Sequence, residues 1–129
     1  MKTSFEIKGI IPASAEEVYK AWLSSEEHTN MTGGEANCSD KVGDEFDAWD
    51  GYISGKNIQL VPNKEIKQSW RTAEFNDADN DSDLTIQLKD ISNGCEVTII
   101  HADIPERQPD YKQGWIDHYF TPMKEYFSK

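Results

Sequence analysis

The sequence has only two cysteines, Cys38 and Cys95, and they form neither a CxxC pair nor part of a ligand cluster. With no sign of secretion, they read as free thiols. It contains no run of eighteen or more apolar residues, so no membrane-spanning helix is expected. The opening MKTSFEIKG lacks the apolar run of a signal peptide, which favours a cytoplasmic location. Basic residues are scarce: 13 Lys and Arg stand against 24 Asp and Glu, a formal charge of −11. Such a surface repels phosphate backbones, and no basic stripe offsets it, which sets aside nucleic acid and anionic membranes as partners. A basic patch on another protein remains compatible. No internal repeat, P-loop, dinucleotide fingerprint, nucleophile elbow or HExxH is present. At 129 residues, the span 1–129 fits one domain around one core.

What is abundant is aromatic side chains, and they concentrate towards the end. Residues 108–129, QPDYKQGWIDHYFTPMKEYFSK, are long enough for a helix that crosses a small domain. Projected at 100° per residue, Tyr111, Gly114, Trp115, His118, Tyr119, Pro122 and Tyr126 share an arc, continued by Ile116, Phe120, Met123 and Phe127. An arc that wide must be covered along much of its length. Gly114 reads as a point of close helix–sheet approach, and Pro122 as a place where the helix bends.

The preceding residues read mostly as strands. Residues 3–11 alternate, and Pro12 stops them. Ser14 and Glu17 have capping-box spacing before a short amphipathic helix over 15–25. Residues 26–34 read as irregular, and 35–38 as a short strand. Residues 45–49 and 52–60 are strands joined at Asp50-Gly51, a two-residue hairpin signal, with Gly55 a bulge or close-approach point. Further strands fall at 65–71, around Leu84, Ile86 and Leu88, and at 95–103, with a hairpin at Asn93-Gly94. Helices at both ends and a strand meander between them predict an α+β domain: a curved antiparallel sheet of six to seven strands wrapped on one long helix.

Three patterns bear on function. Asp77, Asp79, Asp81 and Asp83 alternate like a calcium loop, but neither frame supplies the required Gly and Glu, so a solvated hairpin tip is expected. His28 falls in a loop, whereas His101 and His118 both project inward; none has zinc-ligand spacing. No metal site, cofactor or catalytic residue set is predicted, and no residue trio argues for an enzyme. The third pattern is the aromatic interior. A strongly curved sheet cannot press a straight helix along its full length, so a gap with apolar walls is expected between them, the usual form of a small-molecule site. Its expected lining is Phe46, Ile66, Gln68, Trp70, Ile99, His101, Tyr111, Trp115, His118 and Tyr119.

Three stretches, residues 43–71, the run to HADIP at 101–105 and QGWIDHYFTPMKEYF at 113–127, resemble the C-terminal domain of the activators of heat shock protein 90 ATPase. Its most specific parts are Asp50-Gly51 with Gly55, Leu60-Val61-Pro62 with Ile66, Trp70 and Arg71, and Gly114-Trp115 with Tyr119, Phe120 and Pro122. The resemblance covers nearly the whole chain. It implies the START-like, helix-grip fold shared with birch-pollen-allergen-like proteins and polyketide cyclases. It also implies two functions: a non-enzymatic module holding a hydrophobic or aromatic small molecule, or a co-chaperone-like module that binds a heat shock protein 90 type chaperone and modulates its ATPase. The activators also have an N-terminal domain, which this sequence does not resemble.

Overall fold

The computed structural model describes residues 2–128. Strand β1 (Thr3–Ile11) leads through Ser14 into helix α1 (Ala15–Leu23), whose capping box closes as the spacing requires: Glu17 N–H donates to Ser14 Oγ and Ser14 N–H to Glu17 Oε1. The single helix expected over 15–25 instead breaks at Ser24. That residue caps a second helix, α2 (Ser25–Thr32), by accepting from Glu27 N–H, and Gly33, in the left-handed region, ends it. Residues 26–32, expected to be irregular, are therefore helical. The Ser24–Glu27 spacing repeats the Ser14–Glu17 signal and went unread because the segment lacks an apolar stripe.

Strands β2 (Glu45–Ala48), β3 (Ile53–Val61), β4 (Glu65–Thr72), β5 (Ser82–Ile91) and β6 (Gly94–Ile104) complete the sheet, in the order β1-β6-β5-β4-β3-β2 with every pair antiparallel. Residues 35–38 contribute only an isolated bridge between Asn37 and Asp47. The β2–β3 connection spans four residues, 49–52, because Trp49 leaves the strand; Trp49, Asp50 and Gly51 take φ of 53°, 59° and 89° in succession. Gly55 is the close-approach point, since a Cβ there would lie 1.8 Å from Ser69 O, whereas the register shift falls two to four residues later, between Asn57 and Gln59.

The curved sheet turns one face inwards. Ile7, Ile99, Ile86, Ile66 and Leu60 line up across five strands as one aliphatic row. Phe5, His101, Leu84, Gln68 and Asn57 form the adjoining row. Against this face lies the terminal rod: α3 (Tyr111–Trp115), a π-helical turn (Ile116–Phe120) and α4 (Thr121–Phe127). Thr121 N–H donates to Ile116 O, five residues back, and Pro122, which has no N–H, follows at once. The wide turn rotates the later residues, so Tyr119 and Phe120 are both buried while Ile116 and His118 face outwards. A uniform 100° projection misplaced those two.

The rod comes close to the sheet at Gly9, where a Cβ would lie 2.9 Å from the Phe120 ring. At Gly114, where it was expected, a Cβ would meet nothing within 4 Å. This is an α+β helix-grip fold. Among the described residues, no helix is long and apolar enough to cross a membrane.

Candidate functional site

The rod seals against the sheet at one end only. Beneath Phe120 and Met123 the space is filled, with Trp22 of α1 stacked on Tyr119 at 4.9 Å and on Trp115 at 6.1 Å. Beneath α3 the surfaces part. The gap is a cavity of about 320 Å³, open to solvent, walled by Trp49, Tyr52, Ile53 and Trp70 from the sheet side and by Tyr111, Gly114, Trp115, His118 and Tyr119 from the rod. That volume is at the lower end of small-molecule sites.

Local backbone puts each wall in place. Trp70 stands on the inward face of β4 opposite Gly55, and its ring meets Tyr111 at 5.0 Å and Trp115 at 5.6 Å. The left-handed run at 49–51 turns the Trp49 indole across Gly34, where a Cβ would lie 2.4 Å from the ring, and sets it edge-to-face on His118 at 5.4 Å. Gly114, lacking a side chain, leaves the space beneath α3 empty.

The buried polar groups behind these walls are ordered into two chains. In the first, Trp115 Nε1–H donates to His101 Nδ1 (3.1 Å), His101 Nε2 lies 2.8 Å from Ser82 Oγ, and Ser82 O–H donates to Trp70 O (2.7 Å). Ser82's proton is committed to Trp70, so His101 must donate from Nε2, which fixes one neutral tautomer. Burial pushes the His101 pKa from 6.5 down to about 3. In the second chain, His28 donates from Nδ1 to Trp22 O (2.8 Å), leaving Nε2 to accept from the Tyr119 hydroxyl (2.9 Å). Burial lowers the His28 pKa and raises that of Tyr119. Cys38 Sγ lies 3.6 Å from His28 Nδ1, and burial, reinforced by Asp47, pushes its thiol up to about 12, which leaves it a poor nucleophile.

The other two tyrosine hydroxyls of the cavity wall are also engaged. Tyr111 Oη lies 2.6 Å from Thr72 Oγ1 and donates to Gln108 Oε1; Tyr52 Oη donates to Glu74 Oε2 at 3.2 Å. Trp49 Nε1 is the exception: among the described residues it is the buried side-chain polar atom left with no hydrogen-bond partner.

Of the ten residues expected to line the gap, Trp70, Tyr111, Trp115, His118 and Tyr119 do so, with His118 at the mouth and not in the interior. Ile66 and Ile99 belong to the aliphatic row, Phe46 packs against Gly55, and His101 lies behind Trp115 and Trp70. Gln68 donates to Asn57 Oδ1, and Asn57 in turn holds the carbonyls of Ser39 and Lys41, so this pair anchors a loop. Trp49, Tyr52, Ile53 and Gly114 were missed. The first two were visible as aromatics, but a two-residue hairpin would have kept them within the strands. His28 is not in a loop but buried on α2. The acidic run is gathered by Arg71, which pairs with Asp81 and holds the carbonyls of Asn76 and Asp79. Among the described residues, no three His, Cys, Asp or Glu side chains converge as a metal site.

Residues 12–128 match the family description activator of Hsp90 ATPase homolog 1-like protein. The chain belongs to this family. It is 27% identical over 122 residues to the human activator of 90 kDa heat shock protein ATPase homolog 1, covering 94% of this chain but only 36% of the human protein. The family fold extends to an HSP90 activator from Plasmodium falciparum, with a TM-score of 0.86 and 21% identity over 97% of this chain and 96% of that one. It extends also to the Aha1 dimer from Colwellia psychrerythraea, with a TM-score of 0.66 and 19% identity over 88% and 84% of the two chains.

Proposed function

We propose that this protein is a non-enzymatic binding module that holds a hydrophobic or aromatic small molecule between α3 and the sheet. The observation that carries this reading is the solvent-open cavity of about 320 Å³ with aromatic walls. The histidines behind the wall have both ring nitrogens engaged and depressed basicity, which suits support of the wall better than acid–base chemistry. A ligand screen by thermal shift and NMR tests the reading, with Gly114→Leu as the variant that fills the cavity from the helix side. Ligands that perturb Trp70 and Trp115 in the wild type and lose affinity in the variant support it. A library with no such ligand refutes it.

A second reading is favoured by family membership and by the Plasmodium relative described as an HSP90 activator, whose chain is matched over 96% of its length. Here the module binds a heat shock protein 90 type chaperone and modulates its ATPase, with the charge of −11 suited to a basic patch. The chain spans about a third of the length of the curated relatives it matches, 36% in each. A pull-down and ATPase assay with the cognate chaperone decides this; no association at low salt, where charge steering is strongest, removes it.

A further inference from the structure

The walls of the cavity carry a chemical preference beyond being apolar. Six aromatic side chains face it: Trp49, Tyr52, Trp70, Tyr111, Trp115 and Tyr119. The three tyrosine hydroxyls are all directed to protein partners, so the phenols offer ring carbon to an occupant, not O–H groups. None of the nine lining residues is Lys or Arg. The wall therefore presents mainly π-electron density, its polar atoms being those of the His118 ring at the mouth and the unpartnered Trp49 Nε1–H.

The electrostatic setting has the same sign. Glu74, outside the lining, accepts from the hydroxyl of the wall residue Tyr52, and its charge is felt at Tyr111, where it adds to the burial that raises that phenol's pKa. The whole chain carries −11, which raises the local concentration of cations at any opening. A neutral hydrocarbon gains burial against the rings but nothing from the charge. An anion is repelled by both. A cation with an apolar covering gains from both, because aromatic faces attract positive charge and a quaternary ammonium, which has no N–H, needs no hydrogen-bond acceptor.

Resting on the reading of this cavity as a small-molecule site, we propose that its ligand class is a lipophilic organic cation, a quaternary ammonium or a planar delocalised cation, held against the indole and phenol faces. The carboxylate of Glu74, behind Tyr52, reinforces the attraction, and Gly114 supplies the room.

The test compares two probes of the same shape, benzyltrimethylammonium and its neutral isostere 2,2-dimethylpropylbenzene. Both are titrated into the full chain and followed by tryptophan emission and by NMR of the indole N–H groups. The expected result is that the cation binds about tenfold or more tightly than the isostere. Its affinity falls several-fold between about 20 mM and 500 mM salt, while the isostere's does not. Glu74→Gln weakens the cation two- to threefold and leaves the isostere unchanged, and Gly114→Leu abolishes both. Equal or tighter binding of the isostere overturns the cation preference and leaves the cavity as an ordinary apolar site. Binding of neither probe to the wild type overturns the cation preference and counts against the small-molecule reading as well.

Discussion

Replacing His101 with glutamine isolates one buried ring and turns its environment into a number. In the wild type the ring titrates near 3 in the folded protein against 6.5 when unfolded, because burial disfavours the charged form. Between those values the unfolded chain binds more protons, so the contribution is fully present above pH 6.5 and is lost as pH falls towards 3. Each pH unit in that window is worth about 1.4 kcal/mol. From pH 7.5 to 4.5 the wild type therefore loses about 2.5–3 kcal/mol through this group alone. His101→Gln pays instead at neutral pH, by roughly 1–3 kcal/mol, since Trp115 Nε1–H and Ser82 Oγ lose their shared partner. Urea unfolding of both proteins from pH 7.5 to 4.5 gives the difference directly, and the carboxylates and His28 cancel in it. The advantage of the wild type should shrink, and near pH 4.5 vanish or reverse. A difference that is constant with pH would refute the buried, neutral, doubly engaged His101.

Other substitutions probe the walls. Gly114→Ala should stabilise the protein by about 0.5–1 kcal/mol in thermal or urea unfolding, because the helix gains a better former and the new methyl meets open space. Trp115→Phe and Trp49→Phe make a matched pair: the first leaves His101 Nδ1 unpartnered and should cost roughly 1–3 kcal/mol beyond any lost area, whereas the second removes a donor that has no partner and should cost at least about 1 kcal/mol less. Equal costs from the two would show that indole hydrogen bonding is irrelevant here. Gly55→Ala forces a methyl towards Ser69 O and should lower stability by more than about 2 kcal/mol, read from the denaturation midpoint; a neutral outcome would mean that β3 shifts freely against β4.

Much of the fold was legible because its signals are local. Alternation marked β1, β4 and β5, and the Ser14 box marked α1 to within two residues. Ser24 and Glu27 carried the same box for α2, masked by a polar segment. The lining was legible only in part. Tyr111, Trp115 and Tyr119 follow from helical spacing up to the π-turn, and Trp70 follows from strand alternation. His118 lines the cavity at its mouth and not in the interior, because the extra residue per turn ahead of Pro122 is not visible in any regular projection. Trp49 and Tyr52 depend on three consecutive left-handed residues, of which only Gly51 announces itself. Gln68 and His101 were assigned to the right face. Which neighbour takes each polar atom is a tertiary matter, and Asn57 and Ser82 took them.

The most direct test of an open aromatic cavity beneath α3 is the indole N–H region of the NMR spectrum during titration with benzyltrimethylammonium. Trp49, Trp70 and Trp115 line the cavity, while Trp22 lies behind Trp115 and Tyr119. The three lining indoles should shift together along one saturable curve, with Trp22 moving least, and Gly114→Leu should abolish the response. Signals that stay in place, or a Trp22 resonance that moves as far as the others, would contradict the account.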